Sequence, residues 1–157
     1  MIPTELLILN FEEIRRRSIK LWTGISEKFY NWQPDHEAMT IIEMVRHVFE
    51  SEHAYHTIIE NRGAKGADYI SPWENRPYTN VVDEVAFAKP YREAFLEMVR
   101  SFSAGDLTEV EIIRAELGQR RKLGDYFLRV AYHESVHTGQ MLSYLRTLGV
   151  DRPKVWD

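Results

Sequence analysis

Cysteine is missing from all 157 residues. That excludes disulfide frameworks, thiolate metal sites, iron–sulfur clusters and a cysteine nucleophile. Long hydrophobic runs are missing too, since no uncharged stretch approaches the roughly 18 residues that span a bilayer. The opening stretch, Met1 to Asn10, is briefly apolar but has no basic leader and carries Glu5. It does not read as a signal peptide. Positive charge is not in excess: 20 Lys and Arg stand against 24 Asp and Glu, a formal net charge of −4. No basic field is therefore offered to phosphate backbones. These absences predict a soluble, cytoplasmic chain that meets neither nucleic acid nor membrane.

What is present argues for folding. With 44% hydrophobic and 12% aromatic residues, the chain is the opposite of a disordered one. A chain of this length buries enough surface for one core, so residues 1–157 are read as a single domain.

Leu7, Phe11, Ile14, Leu21, Ile25 and Phe29 recur at spacings of three, four and seven, the stripe of a long first helix. Thr4 is the expected cap, and Trp32-Gln33-Pro34 is the expected stop. The run Arg15-Arg16-Arg17 spreads around the helix and reads as a solvated flank. Thr40-Ile41-Ile42-Glu43 is a capping box that opens a second helix reaching about Asn61. Residues 62 to 79 form a long loop with two glycines, two prolines and three aromatics expected at the surface, Tyr69, Trp73 and Tyr78. The third helix begins after Asn80, carries a kink or short break at Pro90, and ends at Gly105-Asp106. Val110, Ile112 and Ile113 suggest a short extended excursion. The fourth helix runs from about Leu123 to Leu148 and closes on Gly149. Four long amphipathic helices in one domain predict an all-α, antiparallel four-helix bundle.

The chain has six histidines, His36, His47, His53, His56, His133 and His137, of which His36 is given no role. His133 and His137 lie four apart, one helical turn above the other, so both rings can reach one ion. Gln140 lies one turn further along the same side. Two ordinary helix histidines would show the same spacing. His133-Glu134-Ser135-Val136-His137 also spells H-E-x-x-H, the zinc-protease pattern. That reading fails downstream, where no further His or Glu follows and Gln140 stands at the glycine of the extended motif. A third ligand is available on the second helix at His47, on a mixed flank beside the apolar stripe. His53 and His56 point about 120° and 180° away from it around a 100° wheel. Glu43, Glu50 and Glu134 are the neighbouring carboxylates in sequence, and none is singled out as a catalytic base.

The sequence resembles the DinB-like (DinB/YfiT-like) metalloenzyme family. Trp32-Gln33-Pro34 is similar to the family's W-x-P turn, and Ile42-Glu43-Met44-Val45-Arg46-His47 to its second-helix segment ending in a ligand histidine. His133-Glu134-Ser135-Val136-His137-Thr138-Gly139-Gln140 resembles the H-x-x-x-H-R-G-Q signature, with Thr138 where many members carry Arg. Leu145-Arg146-Thr147-Leu148-Gly149 matches the usual ending.

The resemblance implies that His47, His133 and His137 hold a divalent metal ion, zinc or nickel first, with iron, cobalt or manganese tolerated. It also implies a homodimer acting on a small-molecule substrate. Low-molecular-weight thiols are used by transferases and isomerases of that superfamily. Two readings follow: a metal-dependent enzyme, of thiol-dependent transferase or hydrolase type, and a metal-binding or stress-related scaffold protein without turnover.

Overall fold

In the computed structural model, which describes residues 1–156, helix α1 spans Pro3–Thr23. Its cap is Ile2 rather than Thr4: the Ile2 amide donates to Glu5 Oε2 at 3.0 Å, and Pro3 takes the first helical position. Proline is suited to that position because its fixed φ is already helical. Thr4 is buried inside the first turn instead. The helix also stops nine residues short of Trp32. Beyond Gly24 the chain forms a 3₁₀ turn, Glu27–Phe29, and the carbonyls of Tyr30 and Trp32 accept the amides of Ile42 and Ile41. These are first-turn donors of the next helix that have no partner inside it. Gly24 is required by packing, because a Cβ there would lie 2.5 Å from Pro153 of the C-terminal segment.

Helix α2, Ile41–Glu60, begins with the expected capping box: Thr40 Oγ1 accepts the Glu43 amide, and Glu43 accepts the Thr40 amide at 2.8 Å. Helix α3, Val81–Ser101, is capped by Asn80. It is continuous through Pro90, so of the kink or short break expected there the break does not occur. Pro90 and Ala86 are both exposed, so the carbonyl that proline leaves unbonded lies on the wet side of the helix. The element ends at Ser101 rather than at Gly105-Asp106. Asp106 instead opens a one-turn helix, α4, Asp106–Glu109, with its carboxylate accepting from the Ser103 amide and hydroxyl at 2.7 Å.

The extended stretch is one half of an antiparallel hairpin, β1 (Glu111–Arg114) with β2 (Gln119–Lys122). Ile112 is buried and Ile113 exposed, as alternation requires. Ile113 donates its amide to the Arg62 carbonyl. At Gly63 a Cβ would meet the Ile113 carbonyl oxygen at 2.7 Å, so this glycine lets the hairpin close on the end of α2. Helix α5, Leu123–Leu148, ends at Gly149 in the left-handed conformation, φ 68°.

The described residues are thus mostly helical, with four long helices, one short helix and a two-stranded sheet. Helix α1 packs on α3 and α5, and α2 packs on the same two. Two aromatic-rich clusters fill the interior. One gathers Trp22, Ile41, Val45, Phe49, Met141 and Leu145. The other gathers Phe11, Ile59, Phe95, Tyr126, Phe127 and Val130. Among the described residues, no helix is long and apolar enough to cross a membrane.

The segment 62–80 has no regular structure, yet it is tied to one flank of α2. Arg46 donates to the carbonyls of Arg76 and Pro77, Glu50 accepts from the Ser71 hydroxyl at 2.6 Å, and His53 Nδ1 meets the Tyr69 hydroxyl at 2.9 Å. Positions 46, 50 and 53 recur at helical spacing. Trp73, expected at the surface, is only 2% exposed and packs against Phe87 and Tyr91. Tyr78 remains exposed and lies over the Arg46 guanidinium at 3.7 Å.

Candidate metal centre

Packing of α2 on α5 brings His47 to His133 and His137. Their candidate ligand atoms lie within 4.8 Å of one another. The Nε2 of His133 is 3.1 Å from the Nε2 of His47 and 3.1 Å from the Nε2 of His137. An imidazole nitrogen has one in-plane site, holding either a proton or a lone pair. His133 Nε2 therefore cannot donate to one neighbour while accepting from the other. Three converging lone pairs are satisfied together by a cation. For the two pairs that share His133, nitrogens about 2.0–2.1 Å from a common ion, at angles of roughly 95–100°, would stand this far apart.

The protonation state agrees. Burial lowers the pKa of all three rings. For His133, burial and the neighbouring His137 and His47 bring it to about 4. The rings are half-buried and neutral near pH 7, as metal ligation demands. Gln140 sets the tautomer of His137: its Oε1 accepts from His137 Nδ1 at 2.7 Å, which leaves the Nε2 lone pair free. Gln140→Leu is expected to weaken zinc binding by about 10–100-fold with the fold unchanged, measured by competitive titration against a chromogenic chelator.

The same pKa values set a pH window. Because the folded values lie below the ordinary 6.5, protons compete for the folded rings only as pH falls from about 6.5 toward 4. Zinc affinity is expected to decline across that interval. Without metal, the unfolded chain takes up protons near pH 6.5 before the folded one does, so stability is lost in the same direction. Tight zinc binding that persists at pH 4 would assign the ligands to other residues.

The other sequence candidates separate cleanly. His53 is engaged by Tyr69, and His56 pairs with Glu60 on its own helix. His36 lies exposed in the turn before α2. Glu43 is held by the Thr40 cap, and Glu50 by Ser71. Glu134, the carboxylate of the H-E-x-x-H string, points into the interior. It is 5% exposed and takes two hydrogen bonds from Arg15, at 2.8 and 2.9 Å. A carboxylate so placed is not available to activate water beside the imidazoles, which removes the zinc-protease reading on structural grounds.

Arg15 corrects the reading of a solvated arginine run. It is buried at 7% exposure and also donates to Glu52 at 3.1 Å. Glu52 is shared with Arg92, which in turn donates to the Phe11 carbonyl. Ser18 and Thr138 meet through their hydroxyls at 3.1 Å in the same region. The four charges sum to zero and join α1, α2, α3 and α5. Arg15 lies 4.8 Å from the Phe49 ring, and Arg92 lies 5.8 Å from Phe11, so the network sits where the two apolar clusters meet. Burial opposes the charge on Arg15, but Glu134 and Glu52 outweigh it and hold the guanidinium protonated. Burial likewise opposes the charge of Glu134, and Arg15 holds its pKa below the ordinary 4.5.

Sequence reasoning missed this layer, although a signal was present. Arg15 follows Phe11 by four and precedes Trp22 by seven. Glu134 stands four after Val130 and seven before Met141, and Glu52 stands four after Val48 and seven before Ile59. Each charge occupies a position on an apolar stripe.

Comparison with known proteins agrees with this architecture. The Bacillus subtilis (strain 168) protein described as uncharacterized protein YjoA is 25% identical over 150 residues, covering 95% of this chain and 93% of its own. The crystal structure of a DinB-like protein, YjoA of Bacillus subtilis, aligns with a TM-score of 0.71 at 22% identity, over 97% of this chain and 98% of the other. A DinB-like protein from Bacillus cereus ATCC 10987 gives a TM-score of 0.71 at 16% identity, over 97% of each chain. At these identities the two structures speak for the fold alone. The DinB superfamily model matches residues 10–141. That match takes in most of the chain and all three clustered histidines, and the chain belongs to the DinB superfamily.

Proposed function

We propose that this chain is a divalent-metal-dependent enzyme in which His47, His133 and His137 are the ligands. The observation that carries the reading is the convergence of three Nε2 atoms from two helices, with His133 3.1 Å from each of the others. Three neutral imidazoles suit zinc or nickel and accept iron, cobalt or manganese. Three protein ligands leave room for water or substrate, the arrangement of a catalytic rather than a structural centre. When bound, such an ion supplies Lewis acidity that lowers the pKa of a coordinated water or thiol.

The chain's own groups prepare that site. The four long helices, read as an antiparallel bundle, set α2 against α5 so that the rings face one another. Gln140 orients His137. Arg15 withdraws Glu134 from the site into the interior. Glu50, whose charge acts on His47, is held in turn by Ser71 of the long loop.

The substrate class in this reading is a small molecule used with a low-molecular-weight thiol, by a transferase or hydrolase type of reaction. A cytoplasmic location accords with it, since thiols are kept reduced there. The chain is further read as a homodimer. Leu128, Tyr132 and Val136 lie four apart on the outer face of α5 and are 56%, 71% and 37% exposed, an apolar stripe suited to a second copy. Light scattering that shows only monomers at high concentration would contradict the dimer.

The test of turnover is direct. Zinc- or nickel-loaded protein is incubated with a panel of thiols and an electrophile, and free thiol is followed. Metal-dependent consumption is expected. A rate no greater than that of the metal-free control across the panel would leave a binding protein without turnover.

A further inference from the structure

Two hydrogen-bond donors beside the three imidazoles have no partner among the described residues. Arg129 precedes His133 by four residues on α5, which stacks the two side chains on one flank of the helix. It is half-buried, and among the described residues it makes no hydrogen bond or ion pair. Every other buried or half-buried arginine pairs with a carboxylate. The one carboxylate at helical spacing from Arg129 is Asp125, and Arg121 takes it at 2.8 Å.

The second donor comes from α2. The ring of Tyr55 meets the His133 ring edge to face, with centroids 5.8 Å apart, and meets Tyr126 at the same distance. Tyr55 is half-buried, and its hydroxyl has no hydrogen-bond partner among the described residues. A guanidinium fork and a phenol beside a metal centre form a receptor for oxygen anions. One unit of positive charge with one neutral donor matches the single charge of a carboxylate.

We propose that Arg129, assisted by the Tyr55 hydroxyl, anchors a carboxylate of the substrate while the substrate's reacting atom reaches the ion held by His47, His133 and His137. The proposal rests on the metal-centre reading and adds the substrate class: a small carboxylic acid. Four residues of helix separate Arg129 from His133 by about 6 Å along the axis. That suits a molecule with two or three carbons between carboxylate and reacting atom.

The experiment uses cobalt-loaded full-length protein and two thiols of similar acidity, 3-mercaptopropionate and 3-mercapto-1-propanol. Thiol binding is read from sulfur-to-cobalt absorption. The wild type is expected to bind the acid on the order of tenfold more tightly than the alcohol. In Arg129→Gln the two affinities converge, while the affinity for the alcohol and the cobalt content stay unchanged. Tyr55→Phe, which keeps the ring against His133, is expected to lose part of the preference. A preference that survives Arg129→Gln would put the carboxylate elsewhere and overturn the proposal. No preference in the wild type would overturn it as well. Failure of the wild type to take up cobalt at all would bring down the metal-centre reading itself, a separate and recognisable result.

Discussion

Arg15→Ala is expected to destabilise the fold by about 3–5 kcal/mol, the cost of leaving a buried charge uncompensated. The substitution strands Glu134 and part of Glu52 in an interior where both are nearly inaccessible. On the surface the same change would be worth less than about 1 kcal/mol. Neighbouring Arg16 provides that control, since it is exposed and pairs with Glu13 within one helix. Chemical denaturation of the two variants should therefore differ several-fold in effect. Equal effects would mean that the Arg15 network is not the buried layer described. Acid should act on the same layer. Arg15 holds the Glu134 pKa below its ordinary 4.5, so the pair's contribution is present above that pH. It is lost as pH falls through the depressed folded value.

The second large effect is metal-linked stability. An ion that binds the folded chain and not the unfolded one adds about 4 kcal/mol when present at a thousand times its dissociation constant. Saturating zinc is thus expected to raise the melting temperature of the wild type by several degrees, more than any other added ion of the same charge that prefers oxygen ligands, such as magnesium. His133→Ala removes the central nitrogen, the one 3.1 Å from both others. Its melting temperature should not respond to zinc. A zinc-dependent rise of equal size in His133→Ala would place the ion elsewhere.

The helical framework was legible from short-range chemistry. The Thr40–Glu43 box, Asn80, Gly149 and the apolar stripes act within one or two turns, and a sequence displays such interactions directly. The elements that were misread depend on partners far along the chain. Beyond the end of helix α1, Gly24 packs closely on Pro153 and the Tyr30 and Trp32 carbonyls serve α2, contacts no local pattern displays. Strand β2 is Gln-Arg-Arg-Lys, with no apolar pattern of its own. Its pairing with β1 and the ion pairs of Arg120 and Lys122 with Glu111 define it. Trp73 looks like a surface aromatic until α3 supplies Phe87 and Tyr91 to cover it.

The candidate site divides in the same way. His133 and His137 are visible by their spacing on one helix, and Gln140 by its place one turn on. His47 is 86 positions from His133, and the helical wheel sets it apart from His53 and His56 only by the mixed flank it occupies beside the apolar stripe. Resemblance to a family pointed to it, and the packing of α2 on α5 brings it to the pair. Glu134 shows the opposite case, where a local motif is complete and its carboxylate is committed to Arg15 at a distance of 119 positions.

Metal content of the purified chain beside that of His47→Ala, both loaded with zinc and desalted, tests the central claim most directly. In the proposed centre His47 is the ligand contributed by the other helix, so its loss leaves only the adjacent pair on α5. The wild type should retain about one ion per chain, the stoichiometry of a single three-histidine centre, and His47→Ala should retain almost none. Stoichiometric zinc in a folded His47→Ala variant would contradict the account.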